Sequence, residues 1–151
     1  YGWTGDCRMS EFSILLVEDH AGFAKALLNM LAQNQELQVV AVAQDAEEAL
    51  QLLQKLHVDL VLVDFSLPDM TGVELLERLH SKYPDLRCAI LSGHLLPQHA
   101  RRALATGARG YLIKDDPLGI LTGIQRILKG EIYVSEELGN LGLSDLLTDF
   151  T

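Results

Sequence analysis

The sequence predicts an α/β domain in which helices cover both faces of a parallel sheet. Short apolar runs recur along the chain, and they are continuous rather than alternating, as expected for strands buried on both faces. Stretches with helical spacing separate these runs. A regular alternation of strand and helix is typical of a parallel sheet, because the helices form the crossover connections.

Five apolar runs have the length and composition of buried strands. Each is rich in Leu, Val, Ile or Ala, and each is followed by a polar residue. We therefore expect five strands, at ILLV (14–17), VVAVA (39–43), LVLV (60–63), CAIL (88–91) and YLI (111–113).

Between and after these runs, apolar residues recur every three to four positions, which indicates amphipathic helices. Pro68 and Gly72 interrupt the chain after the third strand, and Tyr83-Pro84 closes the third helix. Gly107 follows the fourth helix in the position of a C-cap glycine. The apolar stripes predict helices around residues 23–31, 46–56, 73–79, 100–104 and 120–128.

Length and composition suit one folded domain. The chain has 151 residues, of which 48% are hydrophobic and 22% charged, enough for a substantial core. No apolar run approaches the ~20 residues of a membrane helix, and the first residues do not resemble a secretory signal. Cys88 lies in an apolar run and is expected to be buried and inert. We therefore expect a cytoplasmic protein with no membrane partner and no disulfide framework.

The net charge of −9 argues against direct nucleic-acid binding by this segment. Such binding requires clustered Lys and Arg that displace counterions from phosphates. After Lys129 the sequence has five acidic residues and neither Lys nor Arg. A role in DNA binding would need another part of the protein.

A charged side chain or a hydroxyl directly follows four of the five predicted strands. Because the carboxyl ends of parallel strands meet at one edge of the sheet, where such folds bind ligands, we expect these side chains to lie together. Only the second strand departs from the pattern, since Gln44 and Asp45 follow it. The converging residues are Glu18 and Asp19 after the first strand, Asp64 after the third, Ser92 after the fourth and Lys114 after the fifth.

Three carboxylates in one small site oppose each other's ionisation unless a counter-charge is present. Mg²⁺ prefers hard oxygen ligands and typically binds one or two carboxylates, waters and a phosphate oxygen. A carboxylate beside such a cation can attack phosphorus and form an aspartyl phosphate, with Lys114 and a hydroxyl stabilising the charge on the phosphoryl oxygens. The strand ends therefore predict a site that receives a phosphoryl group.

Four motifs in order resemble the receiver domain of bacterial two-component response regulators. They are ILLVED, LVLVDFSLPDMTGVEL, AILSG and GARGYLIKD, and the resemblance covers about residues 12–130. The segment ARGYLIKDDPLGILTGIQRILKGEIYVSEEL further resembles the subclass whose receivers precede a LuxR/NarL-type helix-turn-helix output domain.

The resemblance implies a flavodoxin-like (βα)5 fold, a doubly wound five-stranded parallel sheet in the order 2-1-3-4-5. It also divides the chain into a flexible N-terminal extension (1–11), a receiver domain (12–130) and an acidic C-terminal linker (131–151). The chain stops about where the output domain would begin. We therefore expect a receiver truncated before a DNA-binding output domain.

The resemblance also implies the chemistry at matching positions. Asp64 would accept a phosphoryl group from a sensor histidine kinase or a phosphotransfer protein, and Lys114 would pair with the phosphoryl oxygens. Mg²⁺ or Mn²⁺ would be bound directly by Asp19 and Asp64, through water by Glu18, and by the backbone carbonyl of Ser66. Such a domain signals and is not an enzyme acting on external substrates.

A switch follows from the same resemblance. Ser92 would hydrogen-bond the phosphoryl group, and Tyr111 would turn inward as it does. The surface formed by residues 97–129 would then change, and it is also the surface expected to form a homodimer.

These residues have alternative interpretations. Asp64 by itself could be an ordinary turn residue after a strand, but Glu18, Asp19 and Lys114 fall at equivalent strand ends. An aspartyl-phosphate phosphatase of the haloacid-dehalogenase type would need a second acid two residues after the nucleophile, where this chain has Ser66.

Two further alternatives belong to other functional classes. A flavin-binding module would need a phosphate-binding loop rich in Ser and Thr after the first strand, where this chain has EDHAGFAK. A degenerate receiver that serves only as an interaction module is opposed by the complete set of acids, hydroxyl and lysine.

Overall fold

The computed structural model describes residues 12–94 and 96–135. The predicted N-terminal extension (1–11) and residues 136–151 of the predicted linker lie outside the described residues. Strands and helices alternate along the described chain: β1 Phe12–Val17, α1 Ala21–Leu31, β2 Leu37–Ala43, α2 Ala46–Leu53, β3 Leu60–Asp64, α3 Gly72–Lys82, β4 Arg87–Ser92, α4 Pro97–Ala105, β5 Gly110–Ile113, α5 Pro117–Leu128 and β6 Tyr133–Val134.

All strands lie in one parallel sheet with the order β2-β1-β3-β4-β5-β6. The predicted order 2-1-3-4-5 is confirmed, and the predicted five-stranded sheet has a sixth strand beside β5. The chain leaves β1 for β2 on one side and returns to β3 on the other. This reversal opens a crevice at the carboxyl ends of β1 and β3, which is where α/β sheets bind their ligands.

Two apolar layers explain why the strands are continuously hydrophobic. Successive side chains of a strand point to opposite faces, so both faces of each central strand must be apolar. In β3, Leu60 and Leu62 pack with α1 and α5, whereas Val61 and Val63 pack with α2, α3 and α4. The sheet is therefore doubly wound, with its core divided between two faces.

The sixth strand is short and follows a glycine turn. Gly130 has φ 96°, a conformation that glycine adopts without strain, and it redirects the chain after α5. Tyr133 and Val134 then pair with Gly110 and Tyr111 of β5. This segment belongs to the linker predicted to begin at residue 131, whereas the structure extends the sheet into it.

The helix ends have local causes. Thr71 and Glu74 form a reciprocal capping box at the start of α3, which satisfies two backbone N–H groups that the helix leaves open. Gly107 has φ 112° after α4, as the C-cap interpretation predicted. Cys88 is buried, also as predicted. Among the described residues, no helix has the length and apolar character needed to span a membrane.

Candidate functional site

The carboxyl edge of the sheet holds the residues that the sequence singled out. Glu18 directly follows β1, and its N–H donates to the carbonyl of Ala43 at 2.8 Å. Asp64 is the last residue of β3. Lys114 directly follows β5, and its N–H donates to the carbonyl of Ser92 at 2.9 Å. Hydrogen bonds of the sheet itself therefore set the backbone positions of the acid and the lysine.

One ammonium group bridges two carboxylates at this edge. The Nζ of Lys114 lies 2.9 Å from Oε1 of Glu18 and 3.1 Å from Oδ1 of Asp64. The side chain of Glu18 is 0% exposed and that of Asp64 is 9% exposed. Ion pairs with so little access to water are weakly screened, so Lys114 strongly stabilises both negative charges.

Three carboxylates form a cluster that fits a metal ion. Glu18, Asp19 and Asp64 each offer one oxygen, and these oxygens all lie within 4.8 Å of one another. Asp19 is exposed, whereas Glu18 and Asp64 are buried. Three negative groups against one ammonium leave an excess of negative charge. A donor set of carboxylate oxygens with such an excess suits a hard divalent cation.

The pKa shifts show how strongly the buried groups depend on one another. Burial raises the pKa of Glu18, and the negative charge of Asp64 also raises it, although the hydrogen bond from Lys114 opposes both. Burial by itself lowers the pKa of Lys114, but its hydrogen bond to Glu18 and the charges of both carboxylates outweigh that effect and raise the pKa. Lys114 is thus held in its charged form by the acids that it stabilises.

The segment 65–71, which we call the acceptor loop, follows Asp64 and closes tightly at its base. The N–H of Ser66 donates to Oδ1 of Asp64 at 3.3 Å, and the N–H of Gly72 donates to the carbonyl of Phe65 at 2.7 Å. A Cβ atom on Gly72 would lie 2.5 Å from the backbone oxygen of Asp64. Only glycine fits there, so Gly72 allows the helix to begin directly against the strand end.

Ser92 and Tyr111 meet at the backbone of His94. The hydroxyl of Ser92 accepts a hydrogen bond from the N–H of His94 at 3.1 Å and donates to its carbonyl at 3.4 Å. The hydroxyl of Tyr111 donates to the same carbonyl at 3.3 Å. Tyr111 is fully buried, and burial raises its pKa while the neighbouring Ser92 hydroxyl opposes the shift. In this state Tyr111 already lies inside, and the Ser92 hydroxyl is engaged by its own loop.

Three contacts near the site were not predicted from the sequence. The Nζ of Lys114 lies 4.9 Å from the centre of the Phe23 ring, a cation–π contact from the first turn of α1. The Phe65 ring stacks on His99 of α4, with ring centres 4.3 Å apart. Asp69, at the tip of the acceptor loop, accepts hydrogen bonds from the start of α2. Each contact joins residues more than 20 positions apart, so no local pattern could have revealed it.

The chain matches the family model of the response regulator receiver domain over residues 14–137. It is 32% identical over 126 residues to the transcriptional regulatory protein DegU of Brevibacillus brevis. It is also 32% identical over 127 residues to the nitrate/nitrite response regulator NarL of Escherichia coli K12. Each match covers 83% of this chain, but the chain spans only 53% and 59% of those two proteins.

Solved structures resemble the chain over most of its length. A LuxR-family two-component response regulator from Aurantimonas sp. SI85-9A1 superposes with a TM-score of 0.83 at 30% identity, covering 87% of this chain and 94% of that one. A CheY-like receiver domain protein from Methanospirillum hungatei JF-1 gives a TM-score of 0.70 at 28% identity, with coverages of 80% and 96%.

Proposed function

The chain belongs to the response regulator receiver family, of the LuxR/NarL type, and from this premise we propose that Asp64 is its phosphoacceptor. The observation that supports this assignment best is the contact of Asp64 with Lys114 inside the acidic cluster. Asp64 is buried at a strand end, touches the ammonium and accepts a hydrogen bond from the N–H of Ser66. Of the two carboxylates that touch Lys114, it is the one that keeps some exposure, 9% against 0% for the side chain of Glu18, so a phosphoryl donor can reach it.

The proposed reaction is transfer of a phosphoryl group from a phosphohistidine. A carboxylate oxygen of Asp64 attacks phosphorus, the new O–P bond forms as the N–P bond breaks, and the imidazole leaves with the electron pair. Lys114 neutralises charge on the phosphoryl oxygens, because its ammonium already lies 3.1 Å from the accepting carboxylate. The protein is thus a signalling domain whose own side chain is the substrate.

We assign the metal site to Asp19 and Asp64 as direct ligands, Glu18 through water and the carbonyl of Ser66. Mg²⁺, or Mn²⁺ in its place, would supply a positive charge that offsets the negative charge of the carboxylates and attracts a phosphoryl oxygen. The clustered oxygens of Glu18, Asp19 and Asp64 support this assignment. Burial of Glu18 and its pairing with Lys114 favour an indirect role for that residue.

The proposed switch follows from the contacts of Ser92. To reach a phosphoryl group on Asp64, the Ser92 hydroxyl would exchange its hydrogen bonds to His94 for one to a phosphoryl oxygen. The carbonyl of His94 would then keep Tyr111 as its side-chain donor. Movement of the loop after β4 would thereby reach the predicted switch surface, 97–129.

The wider partners are also proposals. We infer a sensor histidine kinase or phosphotransfer protein as donor, because the chain matches the response regulator receiver family. We infer a transcriptional output domain as the controlled element, because DegU is named a transcriptional regulatory protein. A homodimer through 97–129 would have to pack α4 or α5. The outer edge of β5 is already paired with β6, so the edges of two β5 strands cannot join over Gly110 and Tyr111.

Incubation with acetyl phosphate and Mg²⁺, followed by intact-mass measurement, tests the assignment. The wild-type chain should gain the mass of one phosphoryl group, and Asp64→Asn should gain none. Beryllofluoride with Mg²⁺ should change the amide NMR spectrum around Ser92 and Tyr111 even where the acyl phosphate is too short-lived to isolate.

The matched control is Asp59→Asn, at the opposite end of β3. Asp59 accepts a hydrogen bond from the N–H of Ser13 at 2.8 Å, so the variant tests a general loss of a strand-end carboxylate. Phosphorylation of Asp64→Asn to the wild-type extent would refute the site. A phosphatase of the haloacid-dehalogenase type is not favoured, since the residue two positions after Asp64 is Ser66.

A further inference from the structure

Asp69 connects the acceptor loop to the first turn of α2, whose contacting residues lie 23 and 22 positions earlier in the chain. Its two carboxylate oxygens each accept one backbone hydrogen bond, Oδ1 from the N–H of Ala46 and Oδ2 from the N–H of Glu47, both at 3.0 Å. These N–H groups belong to the first turn of α2, where a helix has no internal acceptors for them. Asp69 therefore caps α2 from outside the helix.

The helix already has a cap of its own. Asp45 is the N-cap residue of α2, and its Oδ1 accepts a hydrogen bond from the N–H of Glu48 at 2.8 Å. The two carboxylates satisfy different N–H groups of the same turn. They differ in what they connect to the helix. Asp45 directly precedes α2 in the sequence, whereas Asp69 belongs to the acceptor loop and therefore links that loop to α2.

The acceptor loop is held at its base and at its tip by different contacts. Its base is closed by the Ser66–Thr71 bridge and by the hydrogen bond from Gly72 to Phe65. Its tip, Pro68–Asp69, is exposed. Among the side-chain hydrogen bonds of residues 12–94 and 96–135, the two made by Asp69 are those that join this loop to another helix.

We propose that Asp69 is a positioning residue, which fastens the acceptor loop to α2 and thereby holds Ser66 and Asp64 in the arrangement that receives the divalent cation. This inference rests on the proposed function. Its physical basis is preorganisation: a loop that is already ordered loses less conformational entropy when a ligand binds to it. Residues that orient metal ligands without touching the metal act in the same way.

The charge of Asp69 suits this role. Slight burial raises the pKa of its carboxyl, but the hydrogen bonds from Ala46 and Glu47 outweigh that effect and lower it. Asp69 is thus a carboxylate at neutral pH, and a negative group is stabilised at the positive end of a helix. A neutral side chain would attach the loop less strongly.

The test compares two single variants of this protein, Asp69→Ala and Asp45→Ala. Both variants remove one carboxylate and uncap the same helix, but only Asp69→Ala detaches the tip of the acceptor loop from α2. Binding of Mn²⁺ is measured directly from the EPR signal of the free ion, and the Mg²⁺ dependence of phosphorylation by acetyl phosphate is measured alongside it.

Asp69→Ala should raise the dissociation constant for Mn²⁺ roughly tenfold. It should raise the Mg²⁺ concentration needed for half-maximal phosphorylation by a similar factor, while the rate at saturating Mg²⁺ stays close to that of wild type. Asp45→Ala should lower the melting temperature and leave metal affinity near the wild-type value. Asp69→Asn keeps one acceptor oxygen and should destabilise the fold less than Asp69→Ala does. It should raise the dissociation constant for Mn²⁺ by a smaller factor.

Equal losses of metal affinity in Asp69→Ala and Asp45→Ala would overturn the inference, because helix capping or net charge would then explain both. Wild-type affinity in Asp69→Ala and Asp69→Asn would also overturn it. In either case a wild-type chain that binds Mn²⁺ and is phosphorylated leaves the proposed function intact. Failure of the wild-type chain itself to bind Mn²⁺ would instead refute the proposed metal site, and this inference with it.

Discussion

Lys114 shows how much of this site depends on a single side chain. Its ammonium contacts Glu18 at 2.9 Å and Asp64 at 3.1 Å, and it also lies over the ring of Phe23. The oxygens of Glu18 have little access to water, so the lysine supplies stabilisation that solvent cannot. The Phe23 ring has no hydrogen-bond donor, so it does not compete with Lys114 for the carboxylates.

Lys114→Met should destabilise the metal-free protein at neutral pH by about 1–3 kcal/mol, because it leaves buried carboxylates without their counter-charge. The pKa of Glu18 is already raised by burial, so its ionisation costs stability as the pH rises through that pKa. Without the opposing hydrogen bond from Lys114 the pKa rises further. The variant should therefore regain stability relative to wild type as the pH falls. Urea denaturation at a series of pH values measures the difference.

Lys25→Met is the control for this prediction, since Lys25 is an exposed lysine of α1 and no ion pair is found for it among the described residues. It should leave the free energy of unfolding nearly unchanged at every pH. A Lys114→Met variant that is equally destabilised at low and neutral pH would contradict the role assigned to Glu18.

At the scale of the elements, β6 is the feature that the sequence pattern did not reveal. It has only two residues, and its position depends on close approaches at glycines of two other elements. A Cβ on Gly123 of α5 would lie 2.7 Å from Cδ2 of Tyr133 and 2.5 Å from Cδ2 of Leu112. A Cβ on Gly110 would lie 3.1 Å from the carbonyl oxygen of Tyr133. Because Gly110 and Gly123 have no Cβ atom, Tyr133 of β6 can pack closely against both β5 and α5.

Gly123→Ala should therefore lower the free energy of unfolding by about 1–3 kcal/mol, as overpacking of a filled core does. In an exposed helix the same change would stabilise the protein by about 1 kcal/mol, because alanine is the better helix former. The sign of the effect thus reports how closely Leu112 and Tyr133 pack against α5. Urea denaturation gives the free energy, and hydrogen exchange at the Tyr133 amide reports loosening of β6.

Thr122→Ala is a suitable comparison, because Thr122 is the exposed neighbour of Gly123 on the same helix. It should be neutral or slightly stabilising. A Gly123→Ala variant as stable as Thr122→Ala would mean that β6 does not pack against α5 in solution.

At the scale of the whole molecule, charge limits what the chain can bind. Its 21 acidic residues exceed its 12 basic residues, and the carboxyl edge of the sheet adds a local cluster of acids. A surface of this kind repels polyanions and attracts cations. Metal binding and phosphoryl transfer suit this charge, whereas contact with DNA phosphates does not.

The chain should consequently show no binding to a fluorescent DNA duplex at protein concentrations up to about 100 μM, the weak limit of ordinary non-specific binding. Fluorescence anisotropy at low and moderate salt concentration measures this. An anisotropy increase that declines as salt is added would indicate phosphate contacts and contradict the prediction. Phosphorylation should not change the result, because it adds further negative charge.

Most of the architecture was predictable, because its signals are local. Strands that are buried on both faces must be continuously apolar, and the residue after each strand must lie at the carboxyl edge of the sheet. These two rules were sufficient to predict that Glu18, Asp64 and Lys114 lie close together, as they do. The strand order implied by the family resemblance is also confirmed. The short β6 had no such local signal, because its pairing depends on the free edge of β5 and on the close approaches at Gly110 and Gly123.

The fold class, the edge at which chemistry is expected and the side chains that gather there could all be inferred from the order of the residues, since each depends on periodicity and strand ends. The folded structure was needed to show that Lys114 joins Glu18 to Asp64 and that Ser92 and Tyr111 share the carbonyl of His94. It alone connected Asp69 to α2. These contacts depend on distances between residues far apart in the chain, and such distances exist only once both layers of the core have packed against the sheet.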